Sequence, residues 1–392
     1  MMYAILQVQE EKKMCRSIDK IDLGKVNNIP VYWDLRSSVN SHVALIGGSG
    51  GGKSVQAQRI ICEIVKAGGT VLVIDSHAAF TDDQIFCKHK AIIDKYRNDI
   101  EVYETGIPCR LFNPVKFMDG TIEKKVDTVG AITDVICRSL KFGVKQRAAL
   151  RHAVEFTMDS NLYEESGFGA IGCGLMNVGD KVSMEVYERM LPLFEHNVFR
   201  EGDGLIMDNK INIVHLSKMD LTSQAVVSEI ILSHIWRLAN ADQFKRRNLF
   251  VFIDECQNMD SSSDGPLAVM ISEGRRMGVN LLLATQMILL GTTNAVQQRI
   301  SQCGLILYFK PAASRVSLTA RMINPGNETQ WIAALKDIKV GEFIASGGIS
   351  LMGRSISYPI KVSAVDKEPK KIIPVNDSLN MQRGSVLGHG HC

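Results

Sequence analysis

Gly47-Gly48-Ser49-Gly50-Gly51-Gly52-Lys53-Ser54 has the spacing G-x-x-x-x-G-K-[ST], and each residue type suits a triphosphate. Glycines let successive backbone N–H groups face phosphate oxygens, the lysine neutralises the β and γ phosphates, and the serine hydroxyl completes a Mg2+ shell. A flexible Gly/Ser linker would not need Lys-Ser at that register. Further along, Leu249-Phe250-Val251-Phe252-Ile253 ends in Asp254-Glu255. Asp254 at such a strand end is placed to hold Mg2+ through water, and Glu255 to polarise an attacking water. Cys256, next to it, lacks an identifiable paired base and reads as a packing residue. The apolar run Leu281-Leu282-Leu283-Ala284 closes on Thr285-Gln286, where Gln286 is able to orient the attacking water and sense the γ-phosphate. Glu273-Gly274-Arg275-Arg276-Met277-Gly278 offers two guanidinium groups suited to a transferring phosphoryl group, particularly one bound by a neighbouring subunit.

These residues need a scaffold, and the flanking pattern supplies one. Val43 to Ile46 is an apolar, partly β-branched run leading into the glycines. Val55, Ile60, Ile61, Ile64 and Val65 then recur at helical spacing up to the stop at Gly68-Gly69, and Thr70 to Asp75 is a second buried strand. Strand, glycine loop, helix, strand is a βαβ unit, which demands parallel strands covered on both faces. Ile211 to Leu216, Leu249 to Ile253, Val279 to Ala284 and Leu305 to Phe309 are further strands, and Ser223 to Leu238 is a helix. Ile21 to Leu35, with the turn Asn27-Asn28, reads as a short β entry. Between Val115 and Lys210 the pattern is helical, as in Asp127 to Leu140 and Gln146 to Met158, followed by glycine-rich Gly167 to Gly179. The expected division is therefore a β entry over 1–40, ATPase core over 41–114, an inserted mainly helical subdomain over 115–210, the rest of the core over 211–363, and a poorly ordered tail over 364–392. The fold class is α/β.

The 392 residues are 45% hydrophobic and 22% charged, a globular composition that excludes a disordered chain or a small disulfide scaffold. A formal charge of +3 shows no strong whole-chain field, so any nucleic-acid surface is local. Nine scattered cysteines without a C-x-x-C pair fit a reducing, cytoplasmic compartment. The longest apolar stretch, Leu281 to Leu290, is interrupted and falls short of the ~20 residues that span a bilayer, so no transmembrane segment is expected.

Taken together, the motifs resemble the HerA/FtsK family of P-loop ATPases. Asn40-Ser41-His42-Val43-Ala44-Leu45-Ile46-Gly47 is similar to the family's approach to the loop, and Val73-Ile74-Asp75-Ser76-His77 to the end of its second strand. Ile253-Asp254-Glu255, Gly274 to Gly278, Leu283-Ala284-Thr285-Gln286 and Val340-Gly341-Glu342-Phe343-Ile344-Ala345-Ser346-Gly347 follow in family order. The resemblance implies a RecA-like core in which the Thr-Gln strand separates the P-loop strand from the Asp-Glu strand. It also implies ATP sites at the subunit interfaces of a hexamer, with Arg275 at the arginine-finger position. The family's N-terminal β-barrel is expected to be absent or reduced to a hairpin, and its membrane segments and winged helix to be missing, so the motifs describe a motor core.

The expected activity is ATP hydrolysis coupled to translocation or pumping of duplex DNA, with Mg2+ as cofactor. A conjugation or secretion ATPase moving single-stranded DNA or protein is the competing enzyme. An ATP-gated scaffold that recruits a nuclease, membrane complex or other effector is the non-enzyme alternative. Lys245-Arg246-Arg247, and Lys141, Lys145, Arg147 and Arg151, either face a channel and touch phosphates or are solvated faces. Gly167 to Gly174 is either a mobile channel loop or an ordinary one. His389, His391 and Cys392 lie close together but on a tail that makes a poor metal site.

Overall fold

The structure is a computed structural model that describes residues 18–245, 247–260, 262–286 and 295–364. In chain order the strands are β1 (Lys20–Val26), β2 (Ile29–Asp34), β3 (Val43–Ile46), β4 (Thr70–Asp75), β5 (Arg97–Glu101), β6 (Ile107–Pro108), β7 (Phe199–Arg200) and β8 (Ile211–His215). They continue with β9 (Leu249–Ile253), β10 (Val279–Thr285), β11 (Leu305–Tyr308), β12 (Glu342–Gly347), β13 (Ile349–Leu351), β14 (Arg354–Ile356) and β15 (Ile360–Ser363). All but β6 and β7, which pair separately, join one 13-stranded sheet of order β14-β13-β2-β1-β15-β12-β11-β3-β10-β9-β4-β8-β5.

The half from β11 to β5 is parallel throughout, and β10 lies between β3 and β9, as the motif order implied. The fold is RecA-like α/β. Each parallel strand alternates its side chains between two cores, since successive Cβ atoms point to opposite faces. Val43, Leu45, Phe250, Phe252, Leu282 and Ala284 pack with Ile60, Ile61 and Ile64 of the helix Lys53–Lys66. Ala44, Ile46, Val251, Ile253, Leu281 and Leu283 pack on the other face with Ile230 and Ile231 of the helix Leu221–Asn240.

In the other half of the sheet, the sequence indicated the β1–β2 hairpin and the β12 segment but not β13, β14 or β15. β12, β15, β1, β2, β13 and β14 are joined antiparallel, so the β1–β2 hairpin adds to the main sheet instead of standing apart. Its turn, Asn27-Asn28, has φ of 48° and 67°, the left-handed pair that a two-residue hairpin turn requires.

The inserted region contributes the helices Lys125–Ser139, Val144–Ser160, Leu162–Ser166, Gly169–Val178 and Lys181–Glu195. Neither loop reading of the Gly167 to Gly174 stretch holds, because most of it is helix. A Cβ on Gly174 would lie 3.0 Å from the Ala153 carbonyl oxygen, so the glycine permits two helices to touch by their backbones. That contact outweighs its poor helix propensity. The insert is fastened to the core by Arg237, which is buried on the helix Leu221–Asn240. It donates to Glu123 Oε2 at 2.7 Å and to the Leu111 carbonyl at 2.8 Å. Among the described residues no helix is long and apolar enough to cross a membrane. Residues 365–392, including His389, His391 and Cys392, lie outside the described residues.

At the C-terminal ends of β4, β8 and β5, His215 Nε2 lies 2.9 Å from Asp99 Oδ1, and Nδ1 lies 3.6 Å from Asp75 Oδ2. Burial alone would lower the imidazole pKa, but the Asp75 and Asp99 hydrogen bonds outweigh it and raise the pKa to about 9. A folded-state pKa above the unfolded value gives stability that is complete below about pH 6.5 and lost as pH rises through about 9. The melting temperature should therefore fall by several degrees between about pH 7 and about pH 10 in the native chain. His215→Gln should flatten that dependence, as read by circular-dichroism melts. A wild-type curve no steeper than the variant's would refute the assignment.

Candidate active site

β3 ends at Ile46, and the glycine loop that follows is pinned at its base. Gly47 N donates to the Thr285 carbonyl at 3.2 Å and Gly48 N to the Lys310 carbonyl at 2.9 Å, tying the loop to the chain leaving β10 and β11. Gly52 has φ of 100°, a backbone conformation that side chains resist, and a Cβ there would meet Gly341 N at 3.3 Å. Gly52 is also the N-cap of the helix Lys53–Lys66, which no side chain caps. An anion at that helix start meets backbone N–H donors and the positive end of the helix dipole. Gly50, with φ of 71°, and Ser49 and Gly51 form the crest between the two anchors. Lys53 folds back so that Nζ donates to the Gly47 carbonyl at 2.9 Å and the Gly48 carbonyl at 3.0 Å. Its pKa is lowered by burial, with Glu255 and Asp254 pulling the other way, so the cation and the two acids share one field.

Asp254 follows the last residue of β9, and Glu255 sits beside it in the left-handed region, at φ 48° and ψ 48°. That conformation is costly for a residue with a Cβ, and it turns the chain sharply at the strand end. Burial and the neighbouring Glu255 charge raise the Asp254 pKa, while His77 opposes them. The Glu255 carboxylate is gripped at both oxygens: Gln286 Nε2 donates to Oε1 and Gln257 Nε2 to Oε2. Thr285 Oγ1 donates to Gln257 Oε1 at 2.6 Å, which fixes that amide's orientation. Thus Gln286, from the end of β10, and Glu255, from the end of β9, come together.

Sequence reasoning missed Gln257. The D-E-C-Q spacing does not reveal that a left-handed residue will bring the second following side chain back to the carboxylate. It also missed a cleft of about 520 Å3 beside the acids, to which the helical insert contributes Lys141 and Arg189 opposite His77, Asp254 and Glu255. Arg189 donates to the Leu140 carbonyl and stacks on Phe142, with its guanidinium carbon 4.6 Å from the ring centre.

For a divalent cation, the half-buried Ser54 hydroxyl and the Asp254 carboxylate are hard oxygen donors of the kind Mg2+ takes together with phosphate oxygens. Two crowded carboxylates in a partly buried position make a cation favourable there. No cluster of three or more His, Cys, Asp or Glu side chains able to hold a metal occurs among the described residues. The Cys256 thiol is buried, and burial pushes its pKa up, as expected of a packing residue.

Arg275 is not part of this cluster within one chain. It lies in the 3-10 turn Gly274–Met277 that precedes β10, whereas Gln286 follows β10. Seven residues of strand put the two on the order of 20 Å apart. Its guanidinium donates to the Val39 carbonyl, and neighbouring Arg276 is 73% exposed. Most of the other basic residues singled out have local partners: Arg147 pairs with Asp134 at 2.6 Å, Arg151 with Glu155 at 3.1 Å, and Lys245 with Asp242 at 2.6 Å. Arg246 lies outside the described residues.

Comparison with known proteins bears on the family and the fold. Residues 21–235 match the family described as helicase HerA, central domain. The probable DNA double-strand break repair helicase HerA of Methanocaldococcus jannaschii is 25% identical over 247 residues, which is 55% of this chain and 46% of that protein. The chain thus spans about half the length of this curated relative. Among solved structures, VirB4 of Thermoanaerobacter pseudethanolicus superposes with a TM-score of 0.66 at 13% identity, covering 90% of this chain and 98% of that one. The plasmid coupling protein TrwB in complex with a non-hydrolysable ATP analogue superposes with a TM-score of 0.57 at 13% identity, covering 92% of each chain. At that identity these two structures show a shared fold.

Proposed function

Because the chain belongs to the HerA helicase central-domain family, matched over more than half its length, we propose that it is a Mg2+-dependent ATPase whose hydrolysis moves duplex DNA. One observation carries the reading. A strand-end glutamate is held between two side-chain amides, next to an aspartate and within the field of a phosphate-loop lysine. Glycosidic or acyl-transfer chemistry has no use for a phosphate loop at that position, while phosphoryl transfer to water needs these parts.

In the proposed cycle the loop amides from Gly47 to Gly52 and the Lys53 ammonium bind the triphosphate. Mg2+, when bound, neutralises charge on the phosphates, and Ser54 and Asp254 are the residues that would hold it. Glu255 takes a proton from the attacking water. Gln286 touches the Glu255 carboxylate, so loss of the γ-phosphate reaches β10 through that contact. Arg275 of an adjacent subunit completes the charge around the transferring group, which makes ring assembly, most simply as a hexamer, a condition for turnover.

Duplex DNA as cargo is supported by the name of the curated relative, a probable double-strand break repair helicase. Hydrolysis by the purified chain should rise severalfold with linear duplex and less with single strands. Turnover indifferent to both would overturn the duplex reading and favour a secretion-type motor. No hydrolysis under any condition would favour a nucleotide-gated scaffold that recruits an effector.

A further inference from the structure

The two amides on the Glu255 carboxylate differ in how they are themselves held. Gln286 follows the last residue of β10 and is exposed. Gln257 lies in the 3-10 turn Cys256–Asn258, is half-buried, and is engaged at both ends of its amide. Its Nε2 donates to Glu255 Oε2, and its Oε1 accepts from Thr285 Oγ1 at 2.6 Å. Chemistry fixes this orientation. An ionised carboxylate only accepts, so the Gln257 NH2 has to face Glu255, and the amide oxygen then points away and needs a donor. The Thr285 hydroxyl is that donor.

Thr285 is fully buried as the last residue of β10, where it pairs in register with Ile46, the last residue of β3. Its carbonyl accepts from Gly47 N at 3.2 Å, at the base of the phosphate loop. One residue therefore reaches the loop through its backbone and Glu255 through its side chain and Gln257. The turn at Glu255 sets where its Cβ lies, but not where its side-chain torsions send the carboxylate. A general base has to sit within hydrogen-bond reach of the water it deprotonates, and a misplacement of about 1 Å is able to cost ~100-fold in rate.

We propose that Gln257 is a positioning residue for hydrolysis: braced by the Thr285 hydroxyl, it holds Glu255 Oε2 in fixed register with the phosphate loop and so aims Oε1 at the attacking water. Oε1 carries more than one lone pair, so it is able to accept from that water beside the Gln286 amide. Gln257 takes no proton and acts only through Glu255. The inference rests on Glu255 being the base that activates water, and adds what aims it.

The test measures kcat and KM for ATP, with Mg2+ and duplex DNA, in the full chain and in five variants: Gln257→Leu, Thr285→Val, Thr285→Ser, Gln257→Leu with Thr285→Val, and Glu255→Gln. Gln257→Leu keeps most of the side chain's bulk without the amide, and should lower kcat by ~10- to 100-fold with KM within about threefold of wild type. Thr285→Val is close in shape but lacks the hydroxyl, and should lower kcat by about fivefold, the size of one hydrogen bond. Thr285→Ser, which keeps the hydroxyl, should recover most of that loss. Because Thr285 acts through Gln257, the double variant should stay within about twofold of Gln257→Leu, whereas independent contributions would multiply. Losses that multiply overturn the proposal, as does a Gln257→Leu kcat within about threefold of wild type. A rise in KM together with a lower melting temperature makes Gln257 a packing residue and also overturns it. If Gln257→Leu does not fold, the Thr285 pair decides alone, and equal kcat in Thr285→Val and Thr285→Ser is the overturning result. Glu255→Gln separates this outcome from the hydrolysis assignment. Turnover of Glu255→Gln within about tenfold of wild type, or no turnover by wild type, removes that assignment and the proposal with it. An inactive Glu255→Gln beside a fully active Gln257→Leu removes the positioning role alone.

Discussion

Glu255→Gln should reduce ATP turnover by about 10²- to 10⁴-fold while leaving ATP binding within a few fold of wild type. The substitution keeps the side chain's length and one oxygen that can accept from one of the two flanking amides, Gln257 or Gln286, so much of the support around the left-handed turn at the end of β9 is retained. What is lost is the carboxylate's capacity to take a proton from water. Two to four decades correspond to about 3–5 kcal/mol of barrier. Lys53, Ser54 and the loop backbone are untouched, so the nucleotide remains held. Single-turnover hydrolysis and equilibrium binding of labelled ATP separate the two effects. Turnover retained within tenfold would refute the role given to Glu255, and joint loss of binding and turnover would indicate a structural role instead.

The second large effect concerns Arg275. Arg275→Ala should cost about 10²-fold or more in turnover if the guanidinium meets the transferring phosphoryl group from the next subunit. The decisive measurement is a mixture of two inactive proteins. In rings assembled at random from Arg275→Ala and Glu255→Gln chains, about one interface in four pairs an intact Glu255 with an intact neighbouring Arg275, because a head-to-tail interface joins different surfaces of its two partners. Activity should therefore reappear on mixing, at roughly a quarter of the wild-type level if sites act independently. Mixed rings that form yet stay inactive would exclude Arg275 as the shared residue. The separation of about 20 Å between Arg275 and Gln286 along β10 already argues against a role within its own subunit.

The parallel half of the sheet was legible in the sequence because its strands are buried on both faces. Val43 to Ile46, Thr70 to Asp75 and Leu249 to Ile253 read as unbroken apolar runs for that reason. The antiparallel half was only partly legible: the Asn27-Asn28 hairpin and the Glu342–Gly347 segment could be read, whereas β13 and β14 could not. Ile349–Leu351 and Arg354–Ile356 are three residues each, and all three residues of the latter retain solvent exposure, so neither carries a periodic signal. The helix Gly169–Val178 was misread because its glycines signal a loop locally, and only the distant Ala153 backbone explains them. At the candidate site, motif spacing located the loop, the acids and Gln286. Gln257 and Arg189 stayed hidden, and Lys141 was read as a channel or surface charge, because their placement depends on one left-handed residue and on how the helical insert packs.

β3 has a further consequence for how the protein is made. Its two neighbours, Val279–Thr285 and Leu305–Tyr308, leave the ribosome more than two hundred residues after Val43–Ile46. At ~5–20 residues per second that interval is roughly tens of seconds, during which the strand that carries the nucleotide loop has both edges unpaired. Early local structure therefore has to come from the segments between, and the cradle closes only when β10 and β11 arrive on either side. A nascent chain interrupted before Leu305 presents an apolar strand edge to other chains, so premature termination in that interval favours aggregation over a partly active fragment.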